Sequence, residues 1–167
     1  MKIKRMICVI AMLAIAVSAF SGCAADPIQE DLKNYINVEL ATYTTLQSTV
    51  QTELASAMGE NFVDIETTHT ILLNVLPKSE SLVETAKAIK TTTPEVTALH
   101  AKCIAALTAQ DDAIKAYIAA IEANDADLVV STNAAIDDVI AQYESYLVDA
   151  TAMMKAHGLE INSSASK

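Results

Sequence analysis

The clearest helical pattern in the sequence is PEVTALHAKCIAALTAQDDAIKAYIAAI, residues 94–121. Steps of four and three residues separate its inward positions, which are Val96, His100, Cys103, Leu107, Gln110, Ile114, Tyr117 and Ile121. Steps of this kind place side chains on one face of an α-helix. Thr93 as N-cap, Pro94 at the first helical position and Glu95 after it form a start signal. We therefore expect a long amphipathic helix that packs one face against other helices.

The flanking segments follow the same pattern. On the C-terminal side, the spacing from Val129 to His157 predicts a further helix that ends at Gly158. On the N-terminal side, Asp26-Pro27 opens a helix that runs to Met58. A second helix is expected from near Asn61 to Lys90, with a kink or a short break at Pro77.

Short connections between amphipathic helices indicate antiparallel neighbours. The sequence thus predicts an all-α protein, an antiparallel up-down-up-down four-helix bundle over residues 23–158 with its second helix kinked near Pro77. Residues 159–167 are expected to be a disordered polar tail.

The N-terminus has the composition of an export signal, predicted to cover residues 1–22. Three positive charges precede an apolar stretch, Met6 to Phe20, that is shorter than the roughly 20 residues a spanning helix needs. Phe20-Ser21-Gly22-Cys23 resembles a bacterial lipobox. That resemblance implies cleavage before Cys23, diacylglycerol on its sulfur and, since Ala24 follows, the periplasmic face of the outer membrane in a Gram-negative host. The alternative is ordinary cleavage after Ala24 or Ala25, which gives a soluble periplasmic protein.

The charge balance excludes one class of partner. Removal of residues 1–22 takes three positive charges away and moves the net charge from −10 to −13. Such a surface repels the phosphate backbone, so we expect no nucleic-acid partner.

The candidate metal ligands are His69, His100 and Cys103, of which the last two lie three residues apart on one helical face. The di-iron motif Glu-x-x-His occurs once, at Glu66 and His69, where two copies would be needed. The layout is also similar to that of periplasmic b-type bundle cytochromes. The first helix lacks an early Met, however, and Tyr143 stands near the place of the late His. We expect neither a metal nor another cofactor.

Catalytic signatures are missing as well. The sequence contains no nucleophile elbow, and glycine is too scarce for a phosphate-binding loop. Asp111-Asp112 and Asp137-Asp138 are adjacent acids, which point in different directions on a helix and are expected to face solvent. We predict that the chain is not an enzyme.

Residues 91–129 resemble a pattern of small bacterial helical lipoproteins, carried by Pro94, Glu95, Val96, Leu99 and His100 and by a turn that ends in Asp125. The resemblance implies no activity. Together with the lipobox it predicts a membrane-anchored lipoprotein that acts as a structural or protein-interaction module with a partner protein in the cell envelope. The alternative is a periplasmic carrier that binds haem, a metal or an apolar ligand between its helices.

Overall fold

The computed structural model describes residues 17–19, 26–57 and 61–161. Over these ranges the chain is all-helical apart from one short ribbon, which confirms the predicted fold class. In chain order the elements are β1 (Val17–Ala19), α1 (Pro27–Asn34), a π-helical turn (Tyr35–Glu39), α2 (Ala41–Ala57), α3 (Ile65–Ala88), α4 (Pro94–Glu122), α5 (Ala126–Ala156) and β2 (Leu159–Ile161).

Helix α4 is the helix predicted from the opening stretch. It begins at Pro94 with Thr93 as its N-cap residue. Of its eight inward positions, all but Ile121 are buried. The 4-3 spacing therefore identified the packed face correctly.

The first predicted helix is interrupted. Leu40 donates its backbone N–H to the carbonyl oxygen of Tyr35 at 2.8 Å, a bond that spans five residues instead of four. This wider turn separates α1 from α2 and carries Tyr35 and Ile36, both buried, into the core. The first helix is thus helical from Pro27 to Ala57 as predicted, apart from this π-helical interruption, and Met58 itself lies outside the described residues.

Helix α3 starts later than expected, at Ile65, because the carboxylate of Asp64 accepts the backbone N–H of Thr67 and caps the helix there. The helix runs through Pro77 without interruption, so the expected short break is wrong, while the kink stays a prediction. Val75 and Leu82, on either side of Pro77, are fully buried, and apolar packing of this kind offsets the hydrogen bond that proline removes.

Consecutive long helices pack on each other: α2 on α3, α3 on α4, and α4 on α5. Side-chain contacts define two ends. At the Asp26 end, Asp26 contacts His157, and Asp31 contacts Thr93. At the Phe62 end, which comprises residues 61–70 and 119–131, the Nε2 atom of His69 lies 3.2 Å from Oε1 of Glu122.

The ribbon pairs β1 with β2 in antiparallel fashion, Val17 opposite Ile161 and Ala19 opposite Leu159. Leu159 is buried, so the chain is ordered beyond the point where the polar tail was expected to begin, while residues 162–167 lie outside the described residues. Cys23 and, apart from β1, the predicted signal peptide also lie outside them. In the described part of the chain, no helix is long and apolar enough to cross a membrane.

Candidate functional site

A layer of buried polar side chains crosses the interior between the π-helical turn and helices α2, α4 and α5. We call it the tyrosine layer, and its members are Tyr35, Tyr43, Gln47, His100, Cys103, Tyr143 and Tyr146. Each of them is at most 6% exposed. Buried polar groups are stable only when they are hydrogen-bonded, so the pattern of donors and acceptors decides what the layer can do.

One hydrogen-bond chain in the layer has a fixed direction. The Nε2 atom of His100 lies 2.9 Å from the carbonyl oxygen of Ala86, which can only accept, so Nε2 carries the proton. In a neutral imidazole Nδ1 then accepts, and the hydroxyl of Tyr35 at 3.1 Å donates to it. The hydroxyl of Tyr146, 3.0 Å from that of Tyr35, donates in turn to the Tyr35 oxygen. The chain therefore runs from Tyr146 through Tyr35 to His100.

Burial keeps this chain neutral. It lowers the pKa of His100 from its usual 6.5, against the opposing effects of the Ala86 carbonyl and Glu39. It also raises the pKa values of Tyr35 and Tyr146. Both hydroxyls stay protonated, and both ring nitrogens of His100 are engaged.

The thiol of Cys103 is equally unreactive. The hydroxyl oxygen of Tyr43 lies 3.1 Å from its sulfur. Burial raises the pKa of the thiol, although hydrogen bonding from Tyr43 opposes this. The thiolate is the nucleophilic form of cysteine, so a buried thiol with a raised pKa is a poor nucleophile.

A small cavity of about 20 Å³ opens beside the layer; its lining residues are Leu40, Tyr43, Thr44, Gln47, Cys103, Tyr143, Tyr146 and Leu147. The amide nitrogen of Gln47 donates to the hydroxyl of Tyr143 at 3.1 Å, while its amide oxygen is buried without a hydrogen-bond partner. A cavity of this volume takes one water molecule, whereas sites for drug-sized ligands measure roughly 300 Å³ or more.

The structure separates the candidate metal ligands. His100 and Cys103 lie in the tyrosine layer, but His69 lies at the Phe62 end beside Glu122. Within the described ranges, no group of three or more His, Cys, Asp or Glu side chains could hold a metal ion. Tyr143, near the place of a haem-ligating His, is bonded to Gln47. The three candidate ligands therefore do not come together at one place in the described part of the chain.

One prediction about the paired acids needs correction. Asp112, Asp137 and Asp138 are exposed as expected, but Asp111 is 7% exposed. Its carboxylate lies 2.7 Å from Nζ of Lys115, four residues on, and this helical neighbour compensates its charge. Asp112, the adjacent acid, is exposed, so the two carboxylates lie in different surroundings.

Sequence reasoning missed Asp31, a residue of α1 whose buried carboxylate contacts the residues just before α4. Its Oδ2 atom accepts the backbone N–H and the hydroxyl of Thr93, both at 2.7 Å, and the N–H of Thr92 at 2.9 Å. Burial alone would raise the pKa of Asp31, but these hydrogen bonds outweigh it and lower the pKa. The available signal was its position between Ile28 and Tyr35 on the inward face of the first helix.

The chain was compared with protein-family models, curated proteins and solved structures. No protein-family model, no curated protein and no solved structure matched the chain.

Proposed function

We propose that the chain is an exported lipoprotein, anchored through Cys23, that acts as a non-enzymatic structural or protein-interaction module of the cell envelope. In a Gram-negative host it would sit on the periplasmic face of the outer membrane and contact an envelope protein. The observation that carries the proposal is the place of Asp26, the first residue of the helical body, only three residues after Cys23.

The position of Asp26 suits a helical protein that is anchored to the membrane at one end. Asp26 caps α1 at one end of the helical body and contacts His157 at the close of α5. A lipid on Cys23 would therefore hold the Asp26 end against the bilayer. Helix α4 has 29 residues, which corresponds to a length of about 43 Å. The Phe62 end would then face away from the membrane.

The proposed architecture is an up-down-up-down four-helix bundle, with α1, the π-helical turn and α2 acting together as the first helix. The order of packing supports it, because α2, α3, α4 and α5 each pack on the next. The two short connections, residues 89–93 and 123–125, also favour antiparallel neighbours.

A non-enzymatic role is supported by the chemistry of the tyrosine layer. The imidazole of His100 has both nitrogens in hydrogen bonds, and the thiol of Cys103 has a raised pKa. Catalytic groups are usually poised near the working pH, with a free atom aimed at a substrate. The layer has the opposite properties and instead joins three helices and the π-helical turn in one packing arrangement.

The test is the replacement Cys23→Ser in the full chain, expressed in a bacterial host and followed by membrane fractionation. We expect the wild type in the membrane fraction and the variant in the soluble one. Cys103→Ser is the matched control, since it changes a buried cysteine and leaves Cys23 available. A Cys23→Ser variant that stays with the membranes, or a control that leaves them, would contradict the anchor.

Processing at Cys23 would change the ribbon. Cleavage before Cys23 removes β1, so that β2 loses this partner in the mature chain. Residues Leu159–Ile161 would then keep their place only through packing, as Leu159 does by its buried side chain.

The carrier alternative is favoured by one observation, the unpaired amide oxygen of Gln47 beside the cavity. The size of the cavity limits that alternative. A volume of about 20 Å³ suits a single water molecule that donates to this oxygen, and haem or another large apolar ligand would need the helices to separate.

A further inference from the structure

The Phe62 end exposes most of the large apolar side chains found at the surface. Of the eight large hydrophobic residues exposed in the described part of the chain, five lie there: Phe62, Val63, Ile65, Leu128 and Val130. Val63 is 72% exposed and Val130 is 68% exposed. Exposed apolar residues that are concentrated in one place, unlike scattered ones, mark interaction surfaces.

The backbone brings these side chains to one end from two directions. Phe62, Val63 and Ile65 surround the start of α3, while Leu128 and Val130 lie in the first turns of α5. The contact between His69 and Glu122 joins the start of α3 to the end of α4, and a connection of three residues separates α4 from α5. The two groups therefore flank the same end of the molecule.

The charge at this end has a single sign. Residues 61–70 and 119–131 contain five acidic residues and neither Lys nor Arg. Two of the acids have a structural role, since Asp64 and Asp125 are the N-caps of α3 and α5. Glu66 and Asp127 add negative charge in the first turns of the same helices. At the Asp26 end, by contrast, Lys87 and Lys155 occupy the last turns of α3 and α5.

We infer that the Phe62 end is a docking surface for a basic amphipathic segment of an exported partner protein, one that presents apolar side chains together with Lys or Arg. The inference rests on the proposed function and names its partner class. Apolar contact would supply affinity, and the acidic side chains would select a basic partner and reject acidic ones. Because this end is opposite to Asp26, a lipid on Cys23 would leave it open.

The probe is a fluorescent 18-residue amphipathic helical peptide of Leu and Lys, titrated against the full-length protein in detergent and followed by anisotropy. A Leu-Glu peptide of the same pattern is the probe control. We expect the Leu-Lys peptide to bind, with an affinity that falls as salt rises, and the Leu-Glu peptide not to bind.

Two pairs of variants locate the binding site. The double replacement of Phe62 and Val63 by Ser should weaken binding at least tenfold, while the same change at Val38 and Val148, which are also exposed, should alter it less than twofold. Glu66→Lys with Asp127→Lys should weaken binding at least tenfold as well. Glu84→Lys with Glu144→Lys makes the same change in net charge elsewhere and should cost less than threefold.

Several outcomes would overturn the inference. One is the absence of peptide binding. Another is an equal loss of peptide affinity in the control variants, which would mean that the basic peptide is attracted to the acidic chain in general. The inference would also be overturned if the Phe62 and Val63 replacements abolished self-association in sedimentation experiments, because the occupant would then be a second copy of the chain. Loss of binding to phosphatidylcholine vesicles would likewise identify a lipid surface as the occupant. A Cys23→Ser variant that stays on membranes would contradict the anchor alone, because peptide binding is measured in detergent, away from any membrane.

Discussion

The Oδ2 atom of Asp26 lies 2.6 Å from Nδ1 of His157, 131 residues later in the chain. A second hydrogen bond holds the end of α5, because the side-chain amide of Gln29 donates to the carbonyl oxygen of His157 at 2.6 Å. These contacts join the first turn of α1 to the residue that closes α5. They hold α1 against α5 at the Asp26 end, which would face the membrane.

The Asp26–His157 contact predicts a pH dependence of stability. Hydrogen bonding to His157 lowers the pKa of Asp26 below 3.8, so the contact stabilises the fold above pH 3.8 and is lost as the pH falls through the lower folded-state value. The variant His157→Ala should be less stable than the wild type at pH 5.5, and the difference should shrink towards pH 3. Urea unfolding at both pH values measures it. An equal difference at the two pH values would contradict the assignment.

Asp31→Asn should lower the free energy of unfolding by about 2 kcal/mol, because the N–H groups of Thr92 and Thr93 lose a charged acceptor in a buried place. The neighbouring replacement Glu30→Gln is the control. Glu30 is exposed and pairs with Lys33, so its removal should change stability little. Urea unfolding at neutral pH makes the comparison, and equal losses would show that Asp31 has no special role.

The direction of the Tyr146–Tyr35–His100 chain predicts unequal costs for two similar replacements. Tyr35→Phe leaves both the Nδ1 atom of His100 and the hydroxyl of Tyr146 without their partner and should cost about 2 kcal/mol. Tyr146→Phe only removes the donor to Tyr35 and should cost about 1 kcal/mol. Thermal or urea unfolding measures both. A larger loss in Tyr146→Phe would reverse the direction of the chain.

Cys103 should react with iodoacetamide far more slowly in the folded protein than in urea, because its thiol is buried and has a raised pKa. Peptide mass mapping reads the modification at Cys103 separately from the other cysteines. We expect at least a tenfold difference in rate. Rapid labelling of the native protein would mean that the tyrosine layer opens to solvent.

The sequence predicted helix α4 and its buried face because Val96, Cys103, Leu107 and Ile114 follow the period of a helix and because Pro94 marks its start. The π-helical turn could not be predicted in the same way. Its hydrogen bond from Leu40 to Tyr35 spans five residues, and the apolar positions around it, Leu32, Ile36 and Leu40, recur every four residues, as they can in an α-helix. The difference lies in the backbone, which spacing alone does not report.

The candidate site was predicted only in part. Spacing placed His100 and Cys103 on one face, but their partners, Tyr35 and Tyr43, come from a segment about 60 residues earlier. Asp31 was not predicted as a site residue, because its partners, Thr92 and Thr93, lie about 60 residues further along the chain. Such pairings depend on tertiary packing, and local pattern cannot supply them.

Native mass spectrometry of the full protein, extracted gently from its own membranes, tests the lipid anchor and the interaction module together. We expect a mass that corresponds to residues 23–167 with acyl chains on Cys23 and no bound haem, metal or small organic molecule. An unacylated chain would contradict the anchor. A reproducible extra mass from a haem, a metal or an organic ligand would contradict the interaction module and favour a carrier.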